Sequence, residues 1–315
     1  MIPLPVDNTL ANCLSSLLLN HGVTDQKIKI LNREPCIYAS TFPTEIVKYE
    51  FENQQVSLFC KYLNGLGPNN FGHRGGVEYE ARIYTKILQQ SPLPTVKFYG
   101  TCCLEESKDL LMVLEYVEGA TQLYRGTEKN VLEKAVRWIA GFHAHYESNF
   151  PSFLTVYNAS YYHFWANKVE ALTNSLGSKY YWLLRLCKYF KDNVKILTES
   201  ALTCIHGEYY PKNILIKQNT IYPIDWESGA VAVGEIDLAS IIEGSEEHAS
   251  KEIEIYTTIR WPDGEYCRDE FKQRLLMSQV YYHLRWIGGA KQNRLNSHAK
   301  RFDIFKNLAI KLLTE

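Results

Sequence analysis

The chain has 315 residues, of which 46% are hydrophobic and 22% are charged, proportions typical of an ordinary globular protein. This length is too great for one small core, so we expect two lobes. The formal net charge is −1 and no basic block occurs, which argues against a nucleic-acid-binding protein.

Membrane and secretion signals are also lacking in the sequence. No apolar run reaches the roughly 18 to 20 residues that a membrane span needs. The opening residues lack the basic region and apolar core of a signal peptide. We therefore expect a cytoplasmic protein without nucleic-acid or membrane partners, and its oligomeric state stays open.

The eight cysteines show no spacing typical of a disulfide framework or a metal site. Cys102 and Cys103 are adjacent, and no CxxC pair occurs. We interpret the cysteines as free, small hydrophobic residues in a reducing compartment. The nine histidines show no HExxH pattern, so a zinc site is not expected.

The first part of the chain alternates strand patterns with helices. Helical spacing is predicted for residues 10–19 and for the run that contains Val77, Ala81, Tyr84 and Leu88. Turn signals at 32–35 and 52–54 separate the strands. The predicted strands cover residues 28–31, 45–51, 56–63, 95–99 and 110–117. Because Glu118-Gly119 breaks the pattern, we divide the chain into lobes at 1–117 and 118–315.

The second lobe is predicted to be mainly helical. Helices are expected at 130–146 and from about residue 252 onward, and 275–287 is the strongest helical run. Between them, residues 147–200 form an aromatic-rich helical insertion. Its aromatic residues, such as Tyr161 and Trp165, either fill a core or line a ligand pocket. The fold class is therefore α+β, with an N-terminal antiparallel sheet and one helix ahead of a larger helical lobe.

The most informative segment runs from Cys204 to Glu227 and places three polar groups on short turns between apolar runs. Glu208 is followed by Asn213 five residues on, and Asp225 closes the next strand. An acid, an amide and a second acid at this spacing are typical of a kinase catalytic loop and its metal-binding aspartate.

Five fragments in order carry a wider resemblance. They are His206-Gly207-Glu208 with Asn213, Ile224-Asp225-Trp226-Glu227, Gly234-Glu235-Ile236-Asp237-Leu238-Ala239, Ala140-Gly141-Phe142-His143-Ala144 and Val113-Leu114-Glu115-Tyr116-Val117-Glu118-Gly119. The chain resembles the aminoglycoside phosphotransferase and choline kinase branch of the protein-kinase-like superfamily, in a variant with His-Gly-Glu in the catalytic loop. This resemblance implies a bilobal kinase-like fold and phosphorylation of a small-molecule hydroxyl with ATP and Mg²⁺ as cofactors.

The catalytic roles follow from the resemblance. Asp225 and Asn213 would hold Mg²⁺, a cation that prefers oxygen ligands. Glu208 stands where the family carries Asp and would accept the proton of the attacking hydroxyl, with roughly 1.5 Å of extra reach. Glu227 is the alternative acid. A purely structural role stays open for each, with Asp225 as a cap and Asn213 as a loop anchor.

The nucleotide is expected to bind the first lobe. Alternation along strand 56–63 places Ser57, Phe59 and Lys61 on one face. The resemblance implies that Lys61 is the lysine that binds phosphate. Glu80 is its expected partner on the following helix, with Glu78 as the alternative. Backbone groups of Glu115 and Val117 would read the edge of the adenine base.

Two further features concern the phosphates and the base. Ser40 and Thr41, in a first hairpin that lacks glycine, could donate hydrogen bonds to phosphate. Phe59 is bulky at a position that, according to the resemblance, would lie over the base. Near the catalytic loop, His206 and Asp237 are interpreted as residues that brace it, and Lys212 as either a phosphate contact or a solvated side chain.

The expected function is therefore ATP- and Mg²⁺-dependent phosphorylation of an aminoglycoside-, choline- or natural-product-like hydroxyl. The alternative is a pseudokinase that binds nucleotide as a regulatory module, suggested by Glu208, Phe59 and the glycine-free hairpin. A protein kinase is disfavoured because no Arg follows His206 and neither Asp-Phe-Gly nor Ala-Pro-Glu occurs.

Overall fold

The computed structural model describes residues 4–23, 27–36, 42–51, 54–64, 73–104, 108–125, 130–176, 178–244, 249–289 and 299–314. The chain divides into two compact units, one of Met1–Thr127 with Lys212–Ser228 and one of Glu128–Pro211 with Gly229–Glu315. The division at residue 117 into a nucleotide-binding and a substrate-binding lobe stays a prediction. No helix in the described ranges is both long and apolar enough to span a bilayer.

The first unit is built on a five-stranded antiparallel sheet in the order β1-β2-β3-β5-β4. Its strands are β1 Lys29–Pro35, β2 Thr44–Phe51, β3 Gln54–Tyr62, β4 Phe98–Cys103 and β5 Leu110–Glu115. Two helices accompany it, α1 Asp7–Asn20 and α2 Gly76–Lys86. The antiparallel sheet confirms the predicted fold class, although β4 begins at Phe98 rather than at the predicted residue 95.

The turn predicted at residues 32–35 is wrong, because these residues belong to β1. A register shift between Ile30 and Asn32 lets β1 continue to Pro35 in spite of its polar sequence. Arg33 then donates to both carboxylate oxygens of Glu45 on β2, at 2.9 and 2.8 Å. This two-point ion pair between neighbouring strands explains why a turn-like sequence extends.

The two faces of β3 have different partners, as period-two alternation requires. Leu58, Cys60 and Tyr62 are buried in an apolar cluster with residues of α1. Phe59 and Lys61 point to the other face, where Ile46 and Thr44 lie opposite them on β2. One face of the sheet is therefore core, and the other face carries the candidate site.

Cys13 on α1 and Cys102 on β4 form a disulfide, so the expectation that all cysteines are free is wrong. The two positions are 89 residues apart in sequence, while their Cα atoms lie 6.1 Å apart. Local spacing could not reveal this bond because only the packing of α1 beside β4 brings the two residues together.

A small antiparallel sheet in the order β10-β9-β6 completes the first unit. Its strands are β6 Thr121–Gln122, β9 Ile214–Lys217 and β10 Thr220–Pro223. The turn between β9 and β10 consists of Gln218 and Asn219, whose φ values are 47° and 68°. Two successive left-handed residues form the tight turn that matches the twist of a hairpin. The register of this hairpin positions the residues at its open end.

The second unit is mainly helical, as predicted. Its helices are α3 Val131–Tyr146, α4 Ala159–Leu176, α5 Trp182–Asp192, α6 Lys195–Thr198, α7 Glu235–Ile241, α8 Ser250–Arg260, α9 Arg268–Gly289 and α10 Ala299–Thr314. A three-stranded sheet in the order β7-β11-β8 lies among them, with β7 Thr155–Val156, β8 Thr203–Ile205 and β11 Ala230–Ala232.

The aromatic residues of the 147–200 segment belong to the apolar core of this unit. Tyr161 and Trp165 are 8% and 4% exposed, and they pack with residues of α5, α9 and α10. The interpretation of these two aromatics as core residues is the one that the structure supports.

Candidate functional site

A buried ion pair between Lys61 and Glu80 is the centre of the site in the first unit. The Lys61 Nζ lies 2.7 Å from Glu80 Oε2, and both side chains are almost fully buried. Glu78, the alternative partner, is exposed on the same helix. Sequence periodicity predicts this pairing, because alternation along β3 and helical spacing along α2 place the Lys61 and Glu80 side chains on the same side of the sheet.

Asp225 completes this arrangement. Its Oδ1 lies 2.9 Å from Lys61 Nζ, and its side chain is 31% exposed. The φ of Asp225 is 66°, an uncommon value for a residue other than glycine. The next residue, Trp226, is buried and donates its N–H to Glu80 Oε1 at 3.0 Å. Glu80 therefore holds both Lys61 and the chain beside Asp225.

Glu227 is a third carboxylate at this ammonium, 4.0 Å from Lys61 Nζ and 3.4 Å from Arg74 Nε. Burial raises the pKa of Glu227 to about 7, since Lys61 and Arg74 offset only part of that effect and Asp225 and Glu80 add to it. Burial alone would lower the pKa of Lys61, but the three carboxylates raise it above its ordinary value. The lysine is therefore charged at neutral pH.

Asn213 lies at the open end of the hairpin, opposite the segment that carries Asp225. The last pair of the β9–β10 ladder joins Ile214 to Pro223, and one step further the Ile224 N–H donates to the Asn213 carbonyl at 2.9 Å. The hairpin register thus makes Asn213 and Asp225 neighbours, although twelve positions separate them in sequence.

These residues line a cavity of about 540 Å³ in the first unit. Phe59 is part of its wall and does not fill it. The residues on the cavity wall include Thr44, Ile46, Phe59, Lys61, Glu80, Leu114, Val117, Gln122, Leu215 and Asp225. The volume is that of a typical small-molecule site with an apolar wall and a few charged groups at one place.

Glu115, the last residue of β5, and the following Tyr116 and Val117 border the same cavity. The Glu115 N–H donates to the carbonyl of Lys97, the residue before β4, at 2.8 Å. The Val117 carbonyl accepts from the Ala120 N–H, and the described residues offer no hydrogen-bond partner for the Val117 N–H. Ser40 and Thr41, which were predicted to contact phosphate, lie outside the described residues.

The segment of the second unit that carries Glu208 is held by Asp237 on α7. Asp237 Oδ2 accepts the His206 N–H at 2.6 Å, and Oδ1 accepts the Gly207 N–H at 2.9 Å. His206 is buried and its Nδ1 accepts the Glu208 N–H at 3.2 Å. Both residues therefore brace the loop, as predicted.

A chain of buried hydrogen bonds continues from Asp237. His143 Nε2 lies 3.2 Å from Asp237 Oδ2, and His143 Nδ1 lies 2.8 Å from the Tyr256 hydroxyl, which accepts from Arg260 Nη1 at 2.7 Å. Burial lowers the pKa of His143, in spite of the opposing attraction of Asp237. A neutral His143 that donates to Asp237 and accepts from Tyr256 satisfies every member of this chain.

Glu208 itself is 4% exposed. Its Oε1 lies 3.8 Å from Arg285 Nη2, and Arg285 Nη1 donates to the Gly207 carbonyl at 2.8 Å. Arg285 belongs to α9, 77 positions after Glu208, and sequence reasoning did not identify it.

Solved structures share this arrangement of elements over nearly the whole chain. Choline kinase LicA from Streptococcus pneumoniae matches with a TM-score of 0.59 at 15% identity, over 98% of this chain and 99% of that one. The AMP-bound complex of spectinomycin phosphotransferase APH(9)-Ia matches with a TM-score of 0.58 at 15% identity, over 98% of each chain. The GDP and kanamycin complex of APH(2")-IIia matches with a TM-score of 0.62 at 13% identity, over 96% and 97%.

The chain has a protein-kinase-like fold. The resemblance inferred from sequence motifs is thereby confirmed at the level of the fold. No protein-family model and no curated protein sequence matches the chain. At 13–15% identity the structural likeness establishes the fold, and the activity has to be argued from the site.

Within this kinase-like fold, the structure brings together Lys61, Glu80, Asn213 and Asp225 in one unit, with Glu115 and Val117 on the same cavity. Their roles in binding nucleotide and metal stay predictions, as does the role of Glu208 as a base. Arg74 and Gln122 were not identified from the sequence. Gln122 lines the cavity and donates to the Lys212 carbonyl at 2.8 Å, a contact between distant positions that no local pattern signals.

Proposed function

We propose that the protein transfers the terminal phosphoryl group of ATP to a hydroxyl of a small molecule, with Mg²⁺ as cofactor. The observation that carries this proposal is the buried Lys61, which is held by Glu80, contacts Asp225 and lines a cavity that the residues at the end of β5 also border. A fixed cation and a carboxylate in one pocket suit the charge of a nucleoside triphosphate. Nucleotides named in the matching structures support the same conclusion.

The base and the phosphates would occupy opposite parts of the cavity. Glu115 and Val117 border the cavity, and the Val117 N–H and the Glu115 carbonyl would read the edge of the base. Lys61 would bind phosphate oxygens in the other part. The sequence leaves ATP and GTP open as donors, and the matching structures include both an AMP and a GDP complex.

The donor atoms of Asn213 and Asp225 fit Mg²⁺. One amide oxygen and one carboxylate are hard oxygen ligands, and Mg²⁺ commonly takes one or two protein groups together with phosphates and water. Among the described residues no cluster of three or more histidine, cysteine, aspartate or glutamate side chains could hold a metal on its own. The pair therefore suits a cation shared with a bound triphosphate, whose negative charge that cation would neutralise.

Glu208 is our proposed general base, on the strength of its position five residues before Asn213. An acceptor hydroxyl would attack the terminal phosphorus while the bond to the bridging oxygen of the nucleoside diphosphate breaks. The hydroxyl proton would pass to the Glu208 carboxylate. Because phosphoryl transfer proceeds through a loose transition state, the main task of this carboxylate is to orient the acceptor.

The acceptor is proposed to be an aminoglycoside-, choline- or natural-product-like alcohol. The matching structures include a choline kinase, a kanamycin complex and a spectinomycin phosphotransferase, which sets the chemical range to be tested.

The test is to incubate the purified protein with Mg·ATP or Mg·GTP and panels of aminoglycosides, amino alcohols and hydroxylated natural products. Mass spectrometry would report addition of a phosphoryl group. We expect transfer to at least one class, and a loss of about 100-fold or more in kcat for Glu208→Gln, as is usual for a general base.

The matched control is Glu78→Gln, at an exposed glutamate of α2, which should retain the wild-type rate. No transfer to any member of the panels would refute the proposed function, and an undiminished rate in Glu208→Gln would refute the assignment of Glu208 as the base.

A further inference from the structure

We propose that Arg285 is a positioning residue for Glu208 and is what allows a glutamate to serve where the family it resembles carries an aspartate. This inference rests on the proposed function, because it assigns Arg285 a task only if Glu208 acts as the base. Arg285 lies on α9, outside every motif that supports the resemblance.

The contacts of Arg285 indicate that it positions Glu208. Arg285 is 5% exposed, and burying a guanidinium is costly unless charged or polar partners surround it. Two of its partners are Gly207 and Glu208, consecutive residues of the proposed catalytic loop. Nη1 donates to the Gly207 carbonyl at 2.8 Å, and Nη2 lies 3.8 Å from Glu208 Oε1. One planar side chain thus contacts both the backbone before Glu208 and the carboxylate of Glu208.

The peptide before Glu208 is held at both ends. Asp237 accepts the Gly207 N–H, while Arg285 donates to the Gly207 carbonyl. Gly207 has a φ of 78°, a left-handed conformation that glycine adopts without strain. Because both hydrogen-bonding groups of this residue are used, the direction in which the Glu208 side chain leaves the backbone is set.

The guanidinium is itself held between aromatic rings. Its carbon lies 5.7 Å from the ring centre of Tyr210 and 6.0 Å from that of Tyr281. Tyr281 stands one helical turn before Arg285, so both belong to one face of α9. The Tyr281 hydroxyl lies 2.8 Å from that of Tyr161, which fixes the ring in turn.

Glutamate needs such support more than aspartate does. Its side chain has one more rotatable bond, so its carboxylate can occupy more positions relative to the loop. A displacement of about 1 Å at a reacting group can cost about 100-fold in rate. A charged, rigid partner next to the carboxylate removes this freedom.

The experiment compares Arg285→Lys with Arg274→Lys. Arg274 is on the same helix and pairs with a buried glutamate, Glu235, at 2.9 Å, so it is a matched control for loss of a buried arginine contact. We expect Arg285→Lys to lower kcat by about 10- to 100-fold, with the nucleotide Kd from titration calorimetry unchanged within about twofold. Arg274→Lys should retain kcat.

A comparison in the Glu208→Asp background distinguishes a positioning role of Arg285 from a purely structural one. The shorter side chain depends less on Arg285, so Arg285→Lys should cost a smaller factor in the Glu208→Asp background than in wild type. Arg285→Gln, which keeps a donor for Gly207, replaces Arg285→Lys if the latter does not fold. If the wild type turns over, the proposed function holds; equal losses in kcat in both backgrounds, or an unchanged kcat in Arg285→Lys, would then overturn the inference about Arg285. If the wild type does not turn over, both the proposed function and the inference are wrong.

Discussion

Three carboxylates surround a single buried ammonium in the first unit. Glu80 and Glu227 are almost fully buried, and Asp225 is partly exposed. Burial raises the pKa of Glu80, against the attraction of Lys61. Arg74 lies 3.4 Å from Glu227, so three carboxylates share two cations, and under the proposed function a bound divalent cation would offset the remaining negative charge.

Replacing Lys61 by Met should therefore be costly. Removal of one partner of a buried ion pair destabilises a protein by about 3 to 5 kcal/mol, because the remaining charges lose their counterion. Urea unfolding would show this loss, and nucleotide affinity should fall with it. Lys48→Met, at a half-exposed lysine of β2 paired with Glu34 at 3.5 Å, should stay within about 0.5 kcal/mol of wild type. Equal losses in the two variants would contradict the central place of Lys61.

His143 makes stability depend on pH in a predictable direction. Its folded pKa is lowered by burial, whereas the unfolded chain has a histidine pKa of about 6.5. Below that pH the unfolded state binds a proton that the folded state does not, so stability is present above about 6.5 and is lost as pH falls below it. One proton contributes at most about 1.4 kcal/mol per pH unit.

The measurement is urea unfolding at pH 7.5 and pH 5 for His143→Gln and His145→Gln. Glutamine does not titrate, so the first variant should lose less stability than wild type on acidification. His145 is exposed on the same helix, and its replacement should leave the wild-type pH dependence unchanged. If both variants follow wild type, His143 is not the group responsible.

At the level of elements, the start of α7 is the point where three elements of the second unit, α3, α7 and α8, meet. Gly234 precedes this helix, and an added Cβ would lie 2.5 Å from Arg260 Nη1, His143 Nδ1 and the Tyr256 hydroxyl. These atoms belong to the chain of hydrogen bonds that links Asp237 to α3 and α8. The close approach of three elements, rather than an unusual backbone angle, requires glycine here.

Gly234→Ala should therefore destabilise the protein by about 1 to 3 kcal/mol, the usual cost of overpacking. Gly289→Ala is the matched control, since the nearest atom to its added Cβ is 4.0 Å away. Thermal unfolding should show a lower Tm for Gly234→Ala and a Tm close to that of wild type for Gly289→Ala. If Gly234→Ala leaves the stability unchanged, the side chains of His143, Tyr256 and Arg260 can move to accommodate the added methyl group.

At the scale of the whole molecule, local periodicity predicted most of the fold and part of the site. Period-two alternation oriented Lys61, helical spacing selected Glu80, and motif spacing found Asn213 and Asp225. Features that depend on tertiary packing could not be predicted this way. Arg285 beside Glu208 and the bond from Cys13 to Cys102 join positions many residues apart, and the extension of β1 depends on the contact of Arg33 with a neighbouring strand.

The division of the chain into two compact units has a consequence for how such a protein can diversify. Lys61, Glu80, Asn213 and Asp225 all belong to one unit, whereas Glu208 and Arg285 belong to the other. Under the proposed function, changes that accumulate in the helical unit would alter the choice of acceptor and the turnover rate, and the residues proposed to bind the phosphate donor would stay the same. Donor use and acceptor choice would then be separately adjustable traits.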